Sequence, residues 1–219
     1  MNLNRKKMMI AIVAAMAVVI MGIVAYYWVN SVFFVKTEDA KVAGDVVKVS
    51  PQISGKLLEL YVDEGDTVEK DQIIGRQEMG SLPDTNLEQS VLRAPIDGFI
   101  IKKQSSPGEM LTAGQTVLIM IDPTKMYITA NIEETDLAKL KIGQKVDITV
   151  DEFSSDKLNG KIQSIGKAAN SAFSLLPSSS NGTFTKVVQK VPVKIVFDEN
   201  ENNYGLLLGT NAIVKIHIK

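Results

Sequence analysis

Apolar and polar positions follow two different regimes along this chain. Residues 8–29, MMIAIVAAMAVVIMGIVAYYWV, contain no charged side chain. That is about the 20 apolar residues an α-helix needs to cross a bilayer. Beyond them, short Val/Ile-rich runs such as KVDITV and IVKIHIK alternate with period two, separated by Gly, Asp and Asn clusters. Period two marks half-buried strands, and many short strands at close spacing predict sandwiches or barrels. One further helix is expected, at TDLAKLKIG, with Thr135 or Asp136 capping its start and Gly143 ending it.

The flanks of the apolar run orient it. Arg5, Lys6 and Lys7 precede it, and the positive-inside rule places that end in the cytoplasm; Tyr26, Tyr27 and Trp28 suit the opposite interface. The triplet AMA, residues 15–17, resembles a signal-peptide cleavage site, but the apolar run continues past it and exceeds an ordinary signal h-region. The expectation is an uncleaved single-pass anchor in the cell membrane, with the bulk of the chain on the extracytoplasmic side. The 219 residues contain no cysteine, which excludes disulfides and thiol chemistry. A net charge of −1 with 6% aromatic residues gives no footprint for nucleic acid.

The exterior part contains an internal repeat. At a shift of 43 residues, Ile53 matches Ile96, Gly55 matches Gly98, Gly65 matches Gly108 and Asp66 matches Glu109. Val68 then matches Leu111, Gln72 matches Gln115 and Ile74 matches Val117. Each copy reads glycine, strand, tight turn with glycine and acid, strand. Gly65 and Gly108 are placed to give positive φ in a hairpin turn, and Gly55 and Gly98 to allow close backbone approach where strands cross.

These paired segments resemble the two halves of a lipoyl/biotinyl-type β-sandwich. In carrier proteins of that fold the joint between the halves presents a lysine that takes biotin or lipoate; residues 77–92 contain no lysine. Four ordered segments instead resemble the EmrA/HlyD-type membrane fusion proteins, the adaptor subunits of efflux transporters. They are residues 37–68 (TEDAKVAGDVVKVSPQISGKLLELYVDEGDTV), 93–103 (RAPIDGFIIKK), 126–153 (MYITANIEETDLAKLKIGQKVDITVDEF) and 172–198 (AFSLLPSSSNGTFTKVVQKVPVKIVFD). The last is similar to the EmrA branch, whose partners are major-facilitator exporters. The resemblance implies a mainly β fold: an N-terminal transmembrane helix, a lipoyl-like sandwich of two half-motifs, then a small β-barrel. Expected bounds are 1–30 for the cytoplasmic tip and anchor and 31–47 for a lead-in strand packing on the barrel. The lipoyl-like domain is expected at 48–122, with halves 48–76 and 93–121 and linker 77–92, and the barrel at 123–219.

Two features depart from the family pattern. The usual helical hairpin between the halves is missing, since 77–92 is short and holds Gly80, Pro83 and Asn86. Near the C-terminus, GLLLGTNAIVKI replaces a proline-containing approach to the last strand. The family implies a multi-span inner-membrane exporter as partner, membrane attachment through one helix and the option of a homo-oligomer. Without the hairpin, no outer-membrane duct is expected. A cell-surface or envelope-assembly module on the same scaffold is the alternative. No catalytic, cofactor or metal residues are assigned: His217 reads as an outward strand residue, and Glu133, Glu134 and Asp136 as a solvated loop and helix cap. Phe173, Leu175, Leu176, Pro177 and Phe184 form a candidate loop, either docking on a partner or packing on its own barrel.

Overall fold

The computed structural model describes residues 3–78, 88–151, 157–173, 188–198 and 205–218. It opens with helix α1 (Leu3–Phe33). Within it, Lys7–Ala25 has mean hydropathy 2.8 and no protein cover. At 1.5 Å per residue these 19 residues span about 28 Å, close to the hydrocarbon thickness of a bilayer. Among the described residues this is one helix long and apolar enough to cross a membrane. The chain divides into two units, one of Met1–Ala40, Ala130–Ile195 and Asn211–Lys219, the other of Lys41–Thr129 and Val196–Thr210.

The second unit is a sandwich built from the repeat. Its strands are the end of β1 (Phe34–Val49), then β2 (Gly55–Leu60), β3 (Thr67–Val68), β4 (Ile73–Gln77), β5 (Val91–Arg93), β6 (Gly98–Lys103), β7 (Met110–Leu111) and the start of β8 (Leu118–Glu133). One sheet runs β5-β4-β2-β7 and the other joins β3 and β6 to β8. The turns at Gly65 and Gly108 have φ of +94° and +95°. They do not close hairpins, however: β3 pairs with β6 of the other copy, and β7 pairs with β2. The exchange is reciprocal down to single hydrogen bonds. Gly65 N–H donates to Ile100 O at 2.8 Å, and Gly108 N–H to Leu57 O at 2.7 Å. Ile100 N–H returns to Asp66 O at 2.9 Å, and Leu57 N–H to Glu109 O at 2.8 Å.

The side chains repeat as well. Gln72 Oε1 accepts the Glu69 N–H, and Gln115 Oε1 accepts the Thr112 N–H. Asp71 and Gly114, again 43 apart, both take the left-handed conformation, at φ 64° and 81°. Leu57 and Ile100, Val68 and Leu111, and Ile74 and Val117 are buried together in one core. At the crossings the backbone leaves no room for a side chain. A Cβ on Gly55 would stand 2.4 Å from Glu78 O, and one on Gly98 would stand 2.0 Å from Ile121 O.

The first unit is a closed barrel. Strands β9 (Lys145–Val150), β10 (Leu158–Ile165), β11 (Lys190–Phe197) and β12 (Asn211–His217) join β1 and β8 in the order β1-β12-β9-β10-β11-β8, with β1–β8 pairing closing the ring. Alternate residues fill the interior: Val146, Ile148 and Val150 on β9, Val193 and Ile195 on β11, Val214 and Ile216 on β12. The helix expected at TDLAKLKIG is only a 3-10 turn, Leu137–Lys139. Asp136 makes no side-chain cap; its carboxylate accepts from Lys139 Nζ at 2.7 Å instead. Leu140 is already extended and buried, so burial of that one leucine overrides helix propagation.

The crossing geometry predicts unequal costs for two alanine substitutions. Gly98→Ala should destabilise by about 3 kcal/mol or more, because the clash is with backbone. Gly65→Ala meets open space and should lose only about 1–2 kcal/mol of left-handed strain. Thermal unfolding of the detergent-solubilised chain would show it; equal losses would refute the assigned crossing.

Candidate partner-docking site

Strand direction decides which barrel residues lie near the apolar helix. β1 starts at Phe34, directly after α1 ends at Phe33. The end of β12 returns there, with Ile218 N–H donating to Phe33 O at 2.9 Å. β12 and β9 are antiparallel, as are β9 and β10. The end of β8 meets the start of β11 through Glu134 N–H and Gln189 O, 2.9 Å apart. One end of the barrel therefore collects the helix exit, the link 134–144, the link 166–189 and His217.

The link 166–189 contains the candidate docking residues. Its described start is a 3-10 turn, Asn170–Phe173. The side chain of Phe173, and all of Leu175, Leu176, Pro177 and Phe184, lie outside the described residues. What the structure does describe is how the two roots of this segment are held. Asp39 on β1 accepts from Asn131 Nδ2 at 3.0 Å on one oxygen and from Lys190 Nζ at 2.7 Å on the other. Asn131 Oδ1 in turn accepts from Asn170 Nδ2 at 2.8 Å. A single carboxylate thus connects the residue that opens the turn and the residue that opens β11. The Asp39 hydrogen bond and charge raise the Lys190 pKa above its ordinary 10.5. Sequence reasoning missed this network, because its members lie on four separate segments.

His217 does face outward, since its neighbours Ile216 and Val214 are buried. It is half-buried rather than free: Nε2 lies 2.9 Å from Asp147 Oδ1, and the ring meets Phe34 edge-on at 4.9 Å. Lys215 Nζ sits 3.7 Å from the centre of the same Phe34 ring, a cation–π contact. The signal for the Asp147–His217 pair lay in the two alternating strands, which share a face once their register is known. In the anchor, Tyr27 and Trp28 are exposed and Lys7 is exposed at the other end. The side chains of Arg5, Lys6 and Tyr26 lie outside the described residues.

The joint of the sandwich is described up to Glu78 and again from Glu88. Gln77 is buried and donates from Nε2 to Ile53 O at 3.0 Å, while its Oε1 has no partner among the described residues. Arg93 holds the far side, reaching Glu88 at 3.1 Å and Asp71 O at 3.0 Å. On the same unit, an apolar groove of about 540 Å³ is lined by Phe99, Ile101, Pro123, Met126, Phe197 and Leu206, among others. The expected proline near the C-terminus is replaced by a glycine turn. Gly209 has φ +88° and its N–H donates to Val42 O. No group of three or more His, Cys, Asp or Glu among the described residues could hold a metal ion.

Two family models match the chain. Residues 45–123 fit the RND MFP barrel-sandwich hybrid domain, and residues 125–217 fit the AAEA-like beta-barrel domain. YhbJ of Bacillus subtilis (strain 168), whose name marks it as a candidate efflux system component, is 40% identical over 189 residues, covering 85% of this chain and 81% of that protein. The chain belongs to the EmrA/HlyD-type membrane fusion proteins. Within that family it is a form without the helical hairpin. The Multidrug export protein EmrA of Escherichia coli (strain K12) is 33% identical over 134 residues, covering 60% of this chain and 34% of that protein. The chain thus spans about a third of that relative's length but most of YhbJ. The solved structure of the periplasmic adaptor protein EmrA shares the fold, with TM-score 0.59, 15% identity and coverage of 84% of this chain and 98% of that one. Membrane fusion proteins of this kind are non-enzymatic adaptors.

The Asp39 network predicts a measurable linkage. A raised lysine pKa means the ion pair stabilises fully below the ordinary value of 10.5 and loses its contribution as pH rises through the raised folded value. In Asp39→Asn, the Lys190 ammonium should titrate at a lower pH than in the parent chain, followed by NMR of its ε-carbon. Identical midpoints would remove the pair from the account.

Proposed function

We propose that this chain is the membrane-anchored adaptor of a multidrug or toxic-compound exporter, working with an inner-membrane transporter of the major-facilitator type. The observation that carries the proposal is the 40% identity to YhbJ over most of both chains. The similarity to EmrA supports the transporter type. In this reading α1 crosses the membrane with its N-terminus in the cytoplasm, and the sandwich and barrel stand outside. The anchor, lead-in strand, lipoyl-like domain and barrel occupy 1–30, 31–47, 48–122 and 123–219.

Phe173, Leu175, Leu176, Pro177 and Phe184 would dock on the transporter's outer face. Their segment leaves the barrel at the end where α1 enters, which favours contact with a membrane-embedded partner. The nine residues 79–87 between the described edges of the joint are too few for a long helical hairpin, so this adaptor works without an outer-membrane duct. The chain makes and breaks no bond; energy comes from the transporter. Homo-oligomers of the adaptor around one transporter fit the same scheme.

Extraction of the tagged chain in mild detergent should bring with it a protein of about 12–14 hydrophobic spans, and deletion should lower tolerance to exported compounds. A chain that purifies alone, in a cell whose tolerance does not change on deletion, would overturn the proposal. Serine at Phe173, Leu175 and Leu176 should reduce co-purification several-fold with unfolding temperature unchanged. Full co-purification would assign that loop to packing on its own barrel.

A further inference from the structure

The turn between the 3-10 segment and β9 carries an apolar side chain that packing does not explain. Ile142 is 70% exposed, while its neighbour Leu140 is buried. The turn is built rigidly. Lys141 N–H donates to Gln144 Oε1 at 2.8 Å, Gly143 N–H donates to Ile162 O at 2.9 Å, and Gly143 has φ +87°. Such a frame presents Ile142 at a fixed apex instead of letting it fold down. Around it stand Lys139, Lys141 and Lys145, all exposed, with no acid from 137 to 146. Lys139 is engaged by Asp136, which leaves Lys141 and Lys145 as the cations beside the apex.

Two hydrogen bonds tie this apex to the exit of the apolar helix. Gln144 Nε2 donates to Ile218 O at 3.3 Å, and Ile218 N–H donates to Phe33 O, the last residue of α1. Ile142 is two residues from Gln144, a reach of at most about 7 Å. Phe33 in turn lies eight residues past the Lys7–Ala25 span, or about 12 Å along the helix, at the outer edge of the headgroup layer, so a turn within about 7 Å of this exit is in reach of the headgroups.

We propose that the Lys141–Ile142 turn is a second membrane contact: Ile142 enters the headgroup–acyl boundary of the leaflet at the C-terminal end of α1. Lys141 and Lys145 meet lipid phosphates there. An exposed apolar apex flanked by lysines is the chemistry of interfacial binding, and the lysine stems can lie along apolar surface with their charges at phosphate level. The barrel is thereby held at a set tilt to the membrane instead of swinging on one strand. This inference rests on α1 being a membrane anchor.

The absence of native cysteine makes single-site labelling direct. The full-length chain would be reconstituted into phosphatidylcholine–phosphatidylglycerol vesicles with a nitroxide at Ile142→Cys, Val18→Cys or Met110→Cys. Collision with dissolved oxygen and with an aqueous nickel chelate reports depth. The expected result is a label at 18 deep in the bilayer, a label at 110 in water and a label at 142 at the boundary, with nickel collisions several-fold below those at 110. Lys141→Glu with Lys145→Glu should move the 142 label toward water. A deep label at 18 together with an aqueous label at 142 would overturn the proposal. An aqueous label at 18 would instead refute the anchor on which it rests.

Discussion

The reciprocal bonds between Gly65 and Ile100 and between Gly108 and Leu57 are the constraint from which the rest of the structure follows. Each half of the repeat surrenders its closing strand to the other, so neither half can bury its own apolar face. Leu57, Ile74, Ile100 and Val117 become one core only when both copies are present. The exchange needs a chain reversal without a side-chain penalty, hence positive φ at Gly65 and Gly108. It also needs backbones to cross almost in contact, hence glycine at 55 and 98. β1 carries the chain from the barrel unit into the sandwich unit and β8 brings it back, and their pairing closes the barrel ring.

The barrel gathers its links at the end where α1 enters, and the proposed docking loop and membrane contact both belong to that end. Asp39 holds both roots of the 166–189 link, Lys190 directly and Asn170 through Asn131. Gln144 and Ile218 connect the 141–144 turn to the helix. The individual bonds are modest, since the Asp39–Lys190 pair is partly exposed and solvent screens such pairs. Their effect is positional: they fix where chain segments leave the barrel. An adaptor needs that, because its work is to present surfaces and not to transform a substrate.

Much of this was legible before any coordinates. The repeat at a shift of 43 residues identified the sandwich, and the missing lysine in its joint excluded a carrier arm. Period-two alternation placed the barrel strands. What failed or stayed hidden depended on pairing at a distance. Glycine with an acid suggested hairpins at 65 and 108, whereas the strands pair across copies, which local pattern does not encode. The TDLAKLKIG helix stops at a single 3-10 turn because Leu140 turns extended and is buried. The left-handed Asp71 could be anticipated only by noticing that its partner in the repeat is Gly114.

The most direct test of the account is site-specific photo-crosslinking in intact membranes. A photoreactive residue at Ala172, exposed at the helix-side end of the barrel, would be compared with one at exposed Met110 on the sandwich. The account predicts an adduct from Ala172 to a multi-span membrane protein, absent from a chain carrying serine at Phe173, Leu175 and Leu176. Adducts to a transporter from Met110 alone, or from neither position, would contradict it.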